Sequence, residues 1–166
     1  CHTHLVFGGS RVREYAARMT MNPAQVKALG VPTGILATVE MTRAASVDQL
    51  TESSLARLAR MLRHGTTTVE SKSGYGLNTD QEIKMLTVNH RLQRASPVDV
   101  VSTFLGAHDF PPDAGVSRER YVDLLVDEMI PRVAEAGLAE FNDVYCDDGY
   151  YTVEQSRRIL EAGRAV

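Results

Sequence analysis

Thr66-Thr67-Thr68-Val69-Glu70-Ser71-Lys72-Ser73-Gly74-Tyr75-Gly76-Leu77-Asn78 is the stretch on which the fold turns. Its β-branched start, Thr66 to Ser71, predicts a strand, and Gly74-Tyr75-Gly76 predicts the turn that ends it. Asn78 then opens a helical run to Arg94, with Met85, Val88 and Leu92 on one face. Strand, turn and helix in that order form one unit of an alternating β/α pattern.

The same rhythm continues downstream. Val98 to Leu105 is an apolar strand closed by Gly106-Ala107-His108 and a Pro111-Pro112 loop. A helix is expected from Ser117 to Glu135, bent at Pro131, where the ring removes a hydrogen bond and crowds the preceding turn. Phe141 to Cys146 predicts another strand and Thr152 to Ala162 another helix.

Upstream, Ser46 is a helix N-cap, with Leu55, Leu58 and Leu62 at helical spacing before His64 and Gly65. Ile35 to Thr42 is β-branched and predicts a small extra strand outside the repeat. Asn22-Pro23 starts a short helix ending near Gly30 and Pro32, and Ser10 to Met19 predicts another. Leu5-Val6-Phe7 is a first strand that breaks at Gly8-Gly9.

Repeating strand–helix units imply parallel strands with right-handed crossovers. Four such units fit half of an eight-stranded barrel or a small open sheet. The chain opens on Cys1 and stops at Val166 without a closing strand, so residues 1–166 are read as part of a longer barrel domain. In barrels the reactive groups gather at the C-terminal ends of the strands. The polar residues expected there are His2 and His4, Lys72 and Tyr75, His108, and Asp147 and Asp148.

Composition narrows the function classes. The 166 residues are 43% hydrophobic, enough for one ordinary core. A net charge of −3 and a pI near 6.0, with scattered basic residues, argue against a nucleic-acid partner. No apolar run approaches the roughly 20 residues of a membrane span. Cys1 and Cys146 show no disulfide or zinc spacing, and no signal peptide is visible; a cytoplasmic protein is expected.

His2 and His4 carry the chemical reading. Two apart on an extended chain, both imidazoles point to one face, where ring nitrogens can share a zinc or iron ion. A pair of histidines that merely flanks Thr3 is the plainer alternative. Arg11 could offer its planar fork to a carboxylate or be an ordinary surface arginine at a helix start. Tyr75, between two glycines, could present its phenol to a cleft or pack within the loop. His108, at the end of an apolar strand, could polarise a carbonyl or be a satisfied structural histidine. Lys72 is expected to pair with Glu70 or another acidic neighbour. His64 and His90 fall within helices and receive no role.

His2-Thr3-His4 resembles the first-strand metal motif of the amidohydrolase superfamily. The longer stretches His2 to Arg11, Val69 to Leu77 and Thr103 to His108 resemble the imidazolonepropionase family within it. Glu82 to Leu86 and Gln155 to Leu160 are similar to the same family. The resemblance runs over essentially all of the chain, and Lys72-Ser73-Gly74-Tyr75-Gly76-Leu77 is its most specific part.

It implies a (β/α)8 TIM-barrel of amidohydrolase type, with about the first four β/α units present here. It also implies one divalent metal, zinc or iron, that activates a water. The implied substrate is the small, anionic 4-imidazolone-5-propanoate, hydrolysed at its cyclic amide to N-formimino-L-glutamate in histidine degradation. By position, His2 and His4 are metal ligands, and Arg11, Tyr75 and His108 contact substrate, with His108 polarising the carbonyl. The remaining ligands, a His and an Asp, and a catalytic Glu are expected beyond Val166, so the isolated segment is expected to be inactive. A homodimer is expected on the same resemblance.

The chain departs from the family pattern at three places. Pro32-Thr33-Gly34 replaces a glycine string before Ile35, Ala24 stands where a tyrosine is usual, and Cys1 precedes the histidine pair. Two other readings stay open: an amidohydrolase acting on a different cyclic amide or imide, and a non-catalytic fragment with a partial metal site.

Overall fold

A computed structural model describes residues 2–30, 33–113 and 115–166; Cys1 and Pro32 lie outside the described residues. The architecture is mixed α/β. Four helices come first: α1 (Val12–Thr20), α2 (Pro23–Ala28), α3 (Gly34–Ala44) and α4 (Val47–Arg63). Then β1 (Thr68–Lys72), α5 (Thr79–Ala95) and β2 (Asp99–Ala107) follow in order. After them come α6 (Arg118–Leu124), a π-helical turn (Leu125–Met129), α7 (Ile130–Glu135), β3 (Phe141–Val144) and α8 (Val153–Ala165). The strands form one parallel sheet in the order β1-β2-β3, each joined to the next through helix, as the alternating pattern requires.

The expected start and stop signals act as anticipated. Asn22 and Ser46 each cap their helix in a reciprocal capping box, with Gln25 and Gln49 as the returning partners. Near Pro131 the helix widens into the π turn, in which the Ile130 N–H reaches back to the Leu125 carbonyl. That widening fits the missing N–H and the bulk of the proline ring.

Two expectations need correction. Ile35 to Thr42 is not a strand but most of helix α3. Its β-branched residues Thr38, Val39 and Thr42 are buried against the rest of the molecule, and that packing outweighs local propensity. Lys84 completes the helix end by donating to the carbonyls of Thr42, Arg43 and Ala45, each at 3.0 Å.

Leu5-Val6-Phe7 is not a ladder strand either. The segment runs beside β1, and the Lys72 N–H donates to the Thr3 carbonyl at 2.9 Å. Further along, other partners take its carbonyls: Ser54 and Arg57 bond the Leu5 oxygen, and Arg57 bonds the Phe7 oxygen. Arg57 also lies over the Phe7 ring, 3.7 Å from its centroid. The expected first unit is therefore extended chain pinned by α4, and the sheet has three strands among the described residues.

The core forms two lobes around α5. Met85, Val88 and Leu92, the expected face, pack with Leu5, Val6, Leu50, Leu58, Val69 and Val100. Leu86 joins Phe104, Tyr121, Leu125 and Ile159 on the other side. On α4 the buried stripe is Leu50, Ser54 and Leu58, while Leu62 is exposed. Asn89, buried on α5, ties the helix to two strands. Its Nδ2 donates to the Ser71 carbonyl and to Ser102 Oγ at 3.0 Å each, and its Oδ1 accepts from Ser71 Oγ at 2.7 Å.

Gly8 shows why the pair of glycines follows the histidines. A Cβ there would run into the Met41 carbonyl oxygen of α3. The Gly8 N–H instead donates to Thr42 Oγ1 at 3.0 Å. Helix α3 is thus seated directly on the segment that carries His2 and His4. Among the described residues, no helix is long and apolar enough to cross a membrane.

Candidate active site

The C-terminal ends of the strands bring four of the five expected residues into ring contact. His4 stacks on His108 at a centroid distance of 4.6 Å and 15° between planes. Tyr75 lies 4.6 Å from His4 and 5.3 Å from His108. His2 sits on the outer side, its ring 5.2 Å from that of His4. Residues separated by more than 100 positions in sequence thus share one cluster, because β1 and β2 end side by side and the Lys72 N–H holds the Thr3 carbonyl between the two histidines.

The Nε2 atoms of His2 and His4 approach to 3.3 Å. Two imidazole nitrogens bound to one tetrahedral cation at about 2.1 Å would stand about 3.4 Å apart. The pair therefore fits a shared divalent ion. Burial, then the nearby His108, His2 and Lys72, pulls the His4 pKa down to about 3. His4 is accordingly a neutral imidazole at ordinary pH, the form that ligates. Among the described residues, no cluster of three or more His, Cys, Asp or Glu is arranged to hold a metal. Asp147 and Asp148 are exposed, and Asp147 spends its carboxylate on Tyr145 and the Asp148 N–H. Among the described residues, His2 and His4 are the pair that could share such an ion.

Arg11, the fifth expected residue, joins the group through a cavity of about 290 Å³ lined by His4, Phe7, Gly8, Arg11, Thr38 and Tyr75. Its Nε donates to Glu14 Oε2 at 2.6 Å and its Nη1 reaches Thr38 Oγ1 at 3.5 Å. Glu14 is buried and also bonds Arg18 and the Gly34 N–H, so it fixes Arg11 while joining α1 to α3. Larger cavities exist, including one of about 570 Å³ at the opposite end of the strands lined by Thr68, His90 and Asp99. They hold none of the clustered groups, so chemistry outweighs size in choosing the site.

Tyr75 and His108 are held by the Gly74 region. His108 Nδ1 lies 3.0 Å from the Gly74 carbonyl oxygen, which only accepts, so Nδ1 carries the proton. Nε2 is then an acceptor in the neutral ring. Burial lowers the His108 pKa, partly offset by the Gly74 carbonyl and Asp109. Burial also raises that of the Tyr75 phenol, with Arg11 pulling the other way. Gly74 has φ +107°, and a Cβ there would meet His108 Cβ, His108 Nδ1 and the Leu105 oxygen at 2.8 Å each. Only glycine lets His108 lie this close.

Lys72 pairs with Glu70 at 2.6 Å, as expected, and with Asp143 at 2.8 Å. Thr103 also donates to Glu70, at 2.7 Å. These neighbours form a paired polar layer under the histidines.

One residue that the sequence did not single out is Glu82. Its carboxylate is fully buried and accepts the N–H groups of Gly74, Gly76 and Leu77. In the sequence it looks like any acidic residue in a first helical turn, where the dipole favours it.

No family model matches the chain. Curated relatives match it strongly. The imidazolonepropionase of Geobacillus kaustophilus is 51% identical over 164 residues, covering 99% of this chain and 38% of that protein. The imidazolonepropionase of Shouchella clausii is 52% identical over 163 residues, 98% of this chain and 36% of that protein. That of Treponema denticola is 47% identical over 162 residues, 97% of this chain and 39% of the relative. This chain spans well under half the length of the curated relatives it matches. Along nearly its whole sequence, the chain is related to the imidazolonepropionase family.

Proposed function

We propose that this chain is the His-x-His-bearing part of a metal-dependent hydrolase that opens the ring of 4-imidazolone-5-propanoate, giving N-formimino-L-glutamate in histidine degradation. The complete fold would be a (β/α)8 barrel of amidohydrolase type, to which β1, β2, β3 and their helices contribute. The observation that carries the reading is the 3.3 Å approach of the two Nε2 atoms, with Tyr75 and His108 packed against His4.

In the reaction a water oxygen bonds to the ring carbonyl carbon, the ring C–N bond breaks, and the released nitrogen takes up a proton. A divalent cation, zinc or iron, at His2 and His4 would supply an activated water at neutral pH. Arg11, held through Nε by Glu14, has guanidinium nitrogen left for the propionate carboxylate. Tyr75 closes the same cavity and offers its phenol to the ring. His108, with Nδ1 committed to Gly74, meets substrate through Nε2. Neutral, it accepts from a ring N–H; it donates to the carbonyl only with a second proton.

With two ligands among its described residues, the isolated chain is expected to bind metal weakly and not to turn over. The test uses the complete polypeptide containing this chain, loaded with zinc or iron. Imidazolone absorbance should fall with enzyme and far more slowly with Arg11→Ala at equal substrate. Turnover of other cyclic amides but not of this one would overturn the assignment.

A further inference from the structure

We propose that Glu82 is the positioning residue of this pocket: its carboxylate gathers the backbone of Gly74 to Leu77 and so fixes Tyr75 and His108 beside His4. Oε1 accepts the N–H groups of Gly76 at 2.7 Å and Leu77 at 2.8 Å, and Oε2 accepts that of Gly74 at 2.9 Å. The Ser73 hydroxyl bonds the same carboxylate, and its oxygen accepts from the Leu105 N–H at 3.0 Å. Every one of these partners donates to the carboxylate, and together they oppose the burial that pushes the Glu82 carboxyl up from its ordinary value.

The loop needs such a clamp. Leu77 is buried with φ +53°, a backbone conformation that L side chains rarely adopt. Arg43 grips the same turn from its carbonyl side, through Nε to Gly76 at 2.7 Å and Nη2 to Leu77 at 3.4 Å. Its guanidinium also pairs with Asp113 at 3.0 and 2.9 Å, which ties in the loop after β2. Tyr75 sits between the clamped residues. His108 is one step further, since its Nδ1–H bonds the carbonyl of Gly74, whose N–H bonds Glu82.

The proposal rests on the reading of Tyr75 and His108 as substrate-side groups. Glu82→Gln tests it with almost no change in shape. A glutamine presents oxygen to one side only, and its amide NH2 then confronts an N–H donor on the other. Glu82→Asp keeps the charge but shortens the reach.

The experiment uses the complete metal-loaded protein, measuring kcat and KM for 4-imidazolone-5-propanoate and amide hydrogen exchange at Gly74, Gly76 and Leu77. For Glu82→Gln, exchange should quicken at those amides, and kcat/KM should fall about 10- to 100-fold, mainly through KM, at unchanged metal content. Glu82→Asp should recover part of the loss. Kinetics equal to wild type in folded Glu82→Gln would overturn the proposal, whatever the exchange does. If Glu82→Gln fails to fold, Arg43→Met on the partly exposed side of the turn decides: a raised KM supports the clamp and an unchanged one overturns it. If the wild-type protein leaves the compound untouched, the substrate reading fails by itself. The exchange arm then decides Glu82 alone, lost protection supporting it and retained protection overturning it.

Discussion

His4 and His108 stack face to face, 4.6 Å between centroids and 15° from parallel, although one lies before the first helix and the other directly follows β2. Under the proposed function the stack would join a metal-side residue to a substrate-side residue. Removing either ring should lower turnover, though by different routes.

Metal uptake is the first consequence. In the complete protein, His4→Ala should reduce bound zinc or iron from about one equivalent to a small fraction, because a ligand is lost outright. His108→Ala should leave metal content near wild type while lowering kcat/KM. Elemental analysis after gel filtration, beside steady-state kinetics, separates the two.

Gly74→Ala should act on His108 directly. The new methyl would press within 2.8 Å of the His108 ring and demand a left-handed backbone from alanine. The expected cost is about 1–3 kcal/mol in urea unfolding, accompanied by a fall in kcat/KM. Ala107→Gly, at the neighbouring buried strand position, should cost stability without the same kinetic loss.

Arg11 should prove irreplaceable by lysine. Arg11→Lys keeps the charge but loses the planar fork that bonds Glu14 through Nε while addressing a carboxylate. A raised KM with a nearly unchanged kcat is expected for Arg11→Lys and Arg11→Ala alike.

Acid sensitivity should map partly to Glu14. The hydrogen bond from Arg11 holds its carboxyl below the ordinary value of 4.5, aided by the Gly34 N–H and Arg18. A depressed folded pKa means that its stabilisation is complete above the unfolded value and is lost as pH falls through the folded one. Thermal melts of the wild-type chain should therefore fall more steeply below about pH 4.5 than those of Glu14→Gln. Parallel curves would show that Glu14 carries none of the acid transition.

Much of this was legible in the sequence where local and distant forces agree. Met85, Val88 and Leu92 have helical spacing, and all three are fully buried. Asn22 and Ser46 cap because their side chains bond amides only three residues ahead. That Tyr75 and His108 would lie together was legible because strand ends collect polar groups, and the spacing of His2 and His4 put both on one side of an extended segment.

The misreadings lie where distant contacts decide. Ile35 to Thr42 looks like a strand, yet burial of Thr38, Val39 and Thr42 holds it as helix, and Lys84 from another helix bonds the carbonyls of Thr42, Arg43 and Ala45 at its end. Leu5-Val6-Phe7 has strand composition, yet Arg57 takes the carbonyls a ladder would use. Glu82 was missed since nothing local tells a carboxylate that clamps a loop from one that only suits a helix start. The departure at Pro32-Thr33-Gly34 lies partly outside the described residues; Thr33 stands at the N-cap position of α3 without a side-chain capping bond, and Gly34 begins the helix. Ala24 is exposed on α2.

The most direct test follows one reaction in the complete metal-loaded protein. 4-Imidazolone-5-propanoate should disappear with matching formation of N-formimino-L-glutamate. That turnover should stop on chelation, return with added zinc or iron, and be absent in His4→Ala. Folded, metal-loaded protein that leaves this compound intact, or turnover that survives both chelation and His4→Ala, would contradict the assignment.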